Sequence, residues 1–353
     1  MSGRSPIRRE YDRVAAEARS HRPAIRYRLS RDALPFISET HVELPQEPPG
    51  DGRCLTLFAH FDPHGVIDPY VIYYLQSLKR LGATIIFVSG SSHLTPESVD
   101  AIRPLCAGIY ARKTLSLDFG SWHLAWSILS QRGWSLDQFD RFALANDSVY
   151  GPLFPIEEMW SSFEGADMYG AIESLEFDRH LQSFFLAWDL NARTRPFLEN
   201  FWSEFRYIAN KKRLIRACEI GLSQRAREAG LELKPYVTPA NVRATFELAS
   251  EHQFATELAR GPANNTLFYW DGLIEHLRFP FLKTILPRTW KPLDPSMNRL
   301  EKLIEQNTRL APRHESMTDL RQFIEQRTSY PYDLISSNLN RLGCRTLDRS
   351  DPR

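Results

Sequence analysis

Several short polar clusters interrupt the apolar runs of this chain, and each carries side chains able to do chemistry. Asn146-Asp147-Ser148 follows Phe142-Ala143-Leu144-Ala145 and precedes Tyr150-Gly151-Pro152. A carboxylate at the end of a buried strand can hold Mg²⁺ or Mn²⁺ against a departing diphosphate. One or two protein ligands suffice there, because phosphate oxygens and water complete the shell. The same letters also spell a plain turn. "HFDPH" sets His60, Asp62 and His64 at alternate positions, one face of an extended segment, where a transition metal could sit as in a metal-dependent hydrolase. Pro63 interrupts that strand, so a turn made by Asp62, or a loop that touches a nucleotide, competes with the metal reading.

"RKTLSLDFGSWH" offers Asp118 as the cap of a helix over Trp122–Leu129, with Gly120 in its first turn. That helix N-terminus suits a diphosphate, and Arg112 and Lys113 stand upstream to pair with phosphate oxygens. "FDRHLQSFF" places His180, Gln182 and Ser183 near a strand start, where a histidine is a late metal ligand, a donor to a sugar hydroxyl, or a packed core residue. Glu219 lies in the basic, apolar "RLIRACEIGLS". It is either an exposed partner of Arg213 or Arg216, or a general base for an acceptor hydroxyl. There is no G-x-S-x-G, no Walker loop and no G-x-G-x-x-G, which disfavours serine hydrolases, P-loop NTPases and standard dinucleotide enzymes.

Positioning these clusters falls to the elements between them. "CLTLFA" is an apolar strand; "YVIYYLQSLKRLG" has helical periodicity and stops at Gly82; "ATIIFVSG" is a strand buried on both faces. Thr95 and Pro96 open the next helix. "AGIYAR" is a strand, "FGSWHLAWSILSQRG" a helix and "RFALAN" a strand. Such alternation predicts a doubly wound, mostly parallel α/β sheet with every strand's C-terminal end on one edge. "HFDPH", "SGSS", "RKTLSLD" and "NDS" all follow strand ends, so four polar loops converge on one site. "ADMYGAIESL" and "LQSFFLAWDL" pair and make the sheet mixed, and residues 196–230 are helical.

The 353 residues divide into an extension and linker at 1–50, with a short charged helix over Glu10–Arg19, a domain at 51–290 and a polar helical tail at 291–353. A formal net charge of +1 gives no global case for nucleic acid. Four scattered cysteines argue against a zinc site or a disulfide scaffold and for a reducing, cytoplasmic setting. No secretory h-region and no run of apolar residues long enough to span a membrane is present. Work at a membrane therefore means docking at its inner face, for which the aromatic and basic "FWSEFRYIANKKRLIR" is the candidate segment; its alternative is burial of those rings in the core. The helical tail offers a surface for self-association.

The blocks "FAHFDPHGVIDPYVIYYLQSLKRLGATIIFVSGS", "RKTLSLDFGSW", "LANDSVYGPLFPIEEMW", "YGAIESLEFDRHLQSFFLAW", "CEIGLS" and "FYWDGLIEHLRFPFLKTILPR" resemble, in that order, the rhamnan-synthesis protein F family over roughly residues 54–290. The resemblance implies a GT-A-like glycosyltransferase of bacterial polysaccharide assembly. It implies a nucleotide-sugar donor, a glycan or lipid-linked glycan acceptor, and a divalent cation (Mg²⁺ or Mn²⁺) at Asp147, flanked by Asn146 and Ser148 as the counterpart of an Asp-x-Asp. Asp118 and Gly120 match the family's D-F-G, and His180, Gln182 and Ser183 its H-L-Q-S block. On this reading the base and ribose lie near His60, Asp62 and Ser89, Arg112 assists the diphosphate, and Glu219, Asp178 or Glu173 takes the acceptor's proton. The lone Asp of the motif leaves a second class open, a transferase relative that binds or scaffolds without catalysis, and "HFDPH" a third, a metal-dependent glycan hydrolase.

Overall fold

A computed structural model describes residues 36–50, 53–113, 116–248, 265–288 and 317–344. The expected helix over Glu10–Arg19 and the segment 296–310 lie outside them. The strands are β1 (Ile37–Val42), β2 (Cys54–His60), β3 (Ala83–Ser89), β4 (Gly108–Arg112), β5 (Arg141–Asn146), β6 (Val149–Tyr150), β7 (Met168–Ser174), β8 (His180–Leu181), β9 (Phe185–Asp189), β10 (Leu233–Val237) and β11 (Leu282–Lys283). The main sheet has the order β1-β4-β3-β2-β5-β9-β7-β10, with β8 against β7. Neighbours β4-β3-β2-β5 are parallel, as are β7 and β10, while β1 and β9 run the other way. The sheet is thus mixed and mostly parallel, and β9 pairs with β7 as the sequence predicts.

Period-two alternation sends successive side chains into two cores. Leu55, Leu57, Ile86, Val88, Phe142 and Leu144 join one core with Trp122 and Ile128; Phe58, Ile85, Phe87, Ala143 and Ala145 join the other with Tyr74 and Leu78. Helices Pro69–Arg80 and Pro96–Ile102 therefore cover one face and helix Leu117–Arg132 the opposite one. The first of these ends just before Gly82, whose φ of +75° turns the chain out of the helix. Thr95 Oγ1 caps the second by accepting from Ser98 N at 3.3 Å, with Pro96 in the first turn. The change of face carries the chain from β4 back past β3 and β2 to β5. The strand order reverses between β2 and β5, the position at which open α/β sheets form a ligand crevice beyond the strands' C-terminal ends.

Three expectations change. Residues 37–42 are not a free extension: they form β1, antiparallel to β4, an edge position that depends on a partner about 70 residues away. The aromatic rings of the segment proposed for membrane contact are core, since Phe201, Trp202, Phe205 and Tyr207 are buried among the residues around Trp122, while Lys211 and Lys212 farther along it are exposed. Finally, the part of the tail that is described packs into the fold. Leu320, Phe323 and Ile324 of helix Met317–Arg327 and Ile335 and Leu339 of helix Asp333–Arg341 join the core around Tyr74.

Candidate active site

Asn146 ends β5 with its side chain buried, and it organises the turn that follows. Its Oδ1 accepts from Ser148 N at 3.1 Å and Ser148 Oγ at 2.6 Å, while its Nδ2 donates to Asp118 Oδ2 at 2.9 Å. Asp147 is stitched to β2 across the switch point: its N–H donates to Ala59 O at 3.2 Å and its Oδ2 accepts from Phe61 N at 3.0 Å. Tyr70 Oη donates to Asp147 O at 3.0 Å. The turn reading is therefore met, and the turn presents the Asp147 carboxylate beyond the end of β5.

Asp118 reaches the same place from the opposite layer. Ser116 and Leu117 adopt left-handed φ values of 63° and 45°, so the helix starts at Leu117 and Asp118 stands in its first turn instead of capping it. Burial first, and then the neighbouring Asp147, push the Asp118 carboxyl up to about 7; Lys283 acts in the opposite sense. Burial likewise pushes Asp147 up to about 7, against the Phe61 N–H and Arg288. Paired carboxylates perturbed in this way within a crevice are a physical signature of a functional site.

The cation facing them comes from far along the chain. β11 pairs antiparallel with β6, setting Lys283 opposite Val149, and Thr284 donates to Ser148 O from its N–H at 3.0 Å and its Oγ1 at 3.2 Å. Burial lowers the Lys283 ammonium to about 8, while Glu219 and Asp118 raise it. Its Nζ stands 4.1 Å from the Phe184 ring centroid, a cation–π contact. Glu219 lies on a π-helical turn, Ile215–Ile220, and its Oε1 accepts from Ser183 N at 2.9 Å in place of the expected arginine pairing. A π turn re-aims side chains relative to the α-helix on either side and recurs at functional sites.

Beneath the crevice runs a polar floor closed by helix Asp333–Arg341. Arg288 Nη2 donates to Tyr70 Oη at 3.3 Å and to Asn338 Oδ1 at 2.9 Å, and Tyr150 Oη donates to the same Oδ1 at 2.6 Å. Asn338 Nδ2 donates to Asp68 Oδ2 at 2.6 Å; Arg341 donates from Nε to Asp68 Oδ1 at 2.7 Å and from Nη2 to Asp62 Oδ2 at 2.6 Å. Burial alone would raise Asp62, but Arg341 and the N–H groups of Val66 and His64 hold it below its ordinary value.

With that geometry in view, the family model described as "Rhamnan synthesis protein F" matches residues 85–349. The chain belongs to this family. No curated protein matches it. Membership ties the chain to rhamnan polysaccharide synthesis. The matched span starts later than the blocks that carry the resemblance, leaving His60 and Asp62 outside. It also runs past residue 290, through Arg288's partner Asn338 and through Arg341, so the tail belongs to the family's own architecture.

Of the residues singled out from sequence in this rhamnan synthesis protein F family member, the fold gathers Asp118, Asn146, Asp147, Ser148, Ser183 and Glu219 around one crevice. Others turn inward. His60 is buried, with Nδ1 on Ser89 Oγ at 2.9 Å; burial lowers it to about 4, so the neutral ring 3.8 Å from Asp147 Oδ2 makes no ion pair. Ser89 is fully buried and Asp62 is taken by Arg341, so these side chains, expected at the base and ribose, are engaged within the fold. His64 is exposed while His60 and Asp62 are buried, because Asp62 Oδ1 binds the N–H groups of His64 and Val66 in a tight turn; the three do not share one face. No trio of His, Cys, Asp or Glu fit for a metal occurs among the described residues.

Arg112 is fully buried and anchors the strained helix start, donating to Ser121 Oγ, Lys113 O and Leu117 O, instead of facing a phosphate. Gly120 is buried, its N–H on Ser116 O. His180 is buried on Asp178 O at 2.8 Å, and Gln182 accepts from Thr266 Oγ1 at 3.1 Å. Glu173 is buried in ion pairs with Arg179 and Arg227, and exposed Asp178 binds Arg179 N and Gln224, so neither carboxylate is poised as Glu219 is. Sequence reasoning missed Lys283, Arg288, Asn338 and Arg341. The first two lie in the quoted "FPFLKTILPR", but nothing local marks them as partners of the N-D-S turn.

Asp118 and Asp147 fit a divalent cation. Both offer hard oxygen donors, each is destabilised as an anion by burial, and Asp147 adds to the cost at Asp118.

Proposed function

We propose that this chain is a glycosyltransferase acting on a nucleoside diphosphate-sugar, with a glycan or lipid-linked glycan as acceptor. The observation that supports it most is the Asp118–Asp147 pair at the switch point of a doubly wound sheet, faced by Lys283, in a member of a polysaccharide-synthesis family. Strand order and layering agree with a GT-A-like core. The donor lies across the C-terminal edge, its diphosphate toward the N-D-S turn. Mg²⁺ or Mn²⁺ held by Asp147 and Asp118 would neutralise the diphosphate. Lys283 adds a fixed positive charge where negative charge develops as the anomeric carbon–oxygen bond breaks. The acceptor oxygen bonds to that carbon, and its proton passes to Glu219, the half-buried carboxylate beside Asp118 and Lys283.

A thermal-shift screen of UDP-, GDP- and dTDP-sugars with and without Mn²⁺ tests donor binding, because a ligand of the folded state raises its stability. One nucleotide class should raise the midpoint, more so with Mn²⁺. Asp147→Ala should remove the metal-dependent part and lower transfer about 10²–10³-fold while the ligand-free midpoint is kept. Full transfer by that variant would overturn the assignment. Donor binding without sugar transfer or donor hydrolysis would mark a binding protein instead.

A further inference from the structure

Three large apolar side chains stand exposed among the described residues: Phe61 at 52%, Leu117 at 44% and Ile285 at 42%. They belong to three different elements, yet each adjoins a bond to the same turn. Phe61 donates its own N–H to Asp147, Leu117 precedes the Asp118 that accepts from Asn146, and Ile285 follows the Thr284 that donates to Ser148 O. Consecutive residues 146, 147 and 148 thus each bond at or beside one exposed hydrophobe, which brings the backbones of the three to one turn at the switch point. Exposed cations accompany them. Lys113 precedes the Ser116–Leu117 turn, and Lys211 is near enough to Lys283 to lower its ammonium. Ser116 Oγ donates to Ile208 O at 3.1 Å, which ties the loop leading into Lys211 to the base of Leu117.

Exposed apolar groups grouped at one mouth call for a partner, and the lysines select its charge. We infer that this rim docks on an anionic lipid bilayer, with Phe61, Leu117 and Ile285 entering the headgroup–acyl boundary and Lys113 and Lys211 meeting acidic headgroups. The aromatic rings of residues 201–207 are core and take no part. The crevice then opens onto the membrane, so an acceptor carried on a lipid reaches Asp147 without leaving the bilayer; that last consequence alone rests on the transferase reading.

Flotation of the full chain with vesicles of phosphatidylcholine, or of phosphatidylcholine mixed with phosphatidylglycerol, tests the docking. The protein should float with the mixed vesicles and far less with the neutral ones, and high salt should weaken it. Leu117→Asn with Ile285→Ser, and separately Lys113→Glu with Lys211→Glu, should each lower binding roughly tenfold with unchanged unfolding midpoints. Asn tolerates the left-handed backbone at 117. Failure to float, equal flotation on both vesicles, self-association by light scattering without lipid binding, or both variant pairs binding like the parent would each overturn the proposal. The donor thermal shift, read on the same preparations, separates this failure from that of the transferase reading.

Discussion

Asp118 is held where its neutral form is favoured, and that has a sign. Its folded-state value, about 7, lies above the ordinary 3.8, so the folded chain binds this proton more tightly than the unfolded one. The group's contribution to stability is complete below about pH 4 and is lost as pH rises through 7. Asp118→Asn removes that loss. The variant should match the parent near pH 4 and exceed it by ~1–2 kcal/mol at pH 8 in urea unfolding, while transfer activity collapses. An unchanged pH slope would contradict the burial argument. Lys283 titrates the opposite way: at about 8 it is charged below that pH and neutral above it. Donor affinity should fall as pH rises past 8 in the parent and stay flat in Lys283→Arg, which keeps its charge. Asp147 was legible because polar side chains closing an apolar run are a local signal, and Asp118 because it stands at a helix start. Their mutual repulsion was not, because it depends on the distance between two layers.

The β6–β11 ribbon is the element that delivers Lys283, and it depends on one close approach. Gly151 has φ +143°, and a Cβ there would meet Pro280 O at 2.4 Å, beside the hydrogen bond from Leu153 N to that same oxygen at 2.8 Å. Gly151→Ala therefore meets both backbone strain and a backbone clash. It should lower stability by ~1–3 kcal/mol and, by shifting β11, weaken the donor-induced thermal shift, readable in one melting series. The parallel strands and their crossover helices were legible from period and caps. Two-residue strands such as β6, β8 and β11 carry too few positions for any period to show, and β1 reads as a polar extension until β4 lies beside it.

At the scale of the whole molecule, helix Asp333–Arg341 closes the floor under the site and ties the end of the described chain to its first parallel strand. Arg341 is the cation that pairs two buried carboxylates, Asp62 and Asp68. Replacing it by Ala leaves both unpaired and should cost on the order of 3 kcal/mol near neutral pH. Asp62, held below its usual range, contributes above about pH 4 and loses that contribution in acid, so the deficit should shrink as pH falls. Circular dichroism melts of the parent and Arg341→Ala at pH 3 and 7.5 check both the size and the trend. No helix among the described residues is long and apolar enough to cross a membrane.

The sequence by itself determined the succession of buried strands and amphipathic helices, hence the mostly parallel sheet and the edge on which its polar loops meet. These follow from periodicity and capping, which act within a turn or two of chain. Only the tertiary structure decided which polar residues face the crevice and which are consumed as struts. Thr284 meets Ser148 across 136 residues and Arg341 meets Asp62 across 279. Contacts at such separations arise from closure of the whole chain, and no local pattern in it encodes them.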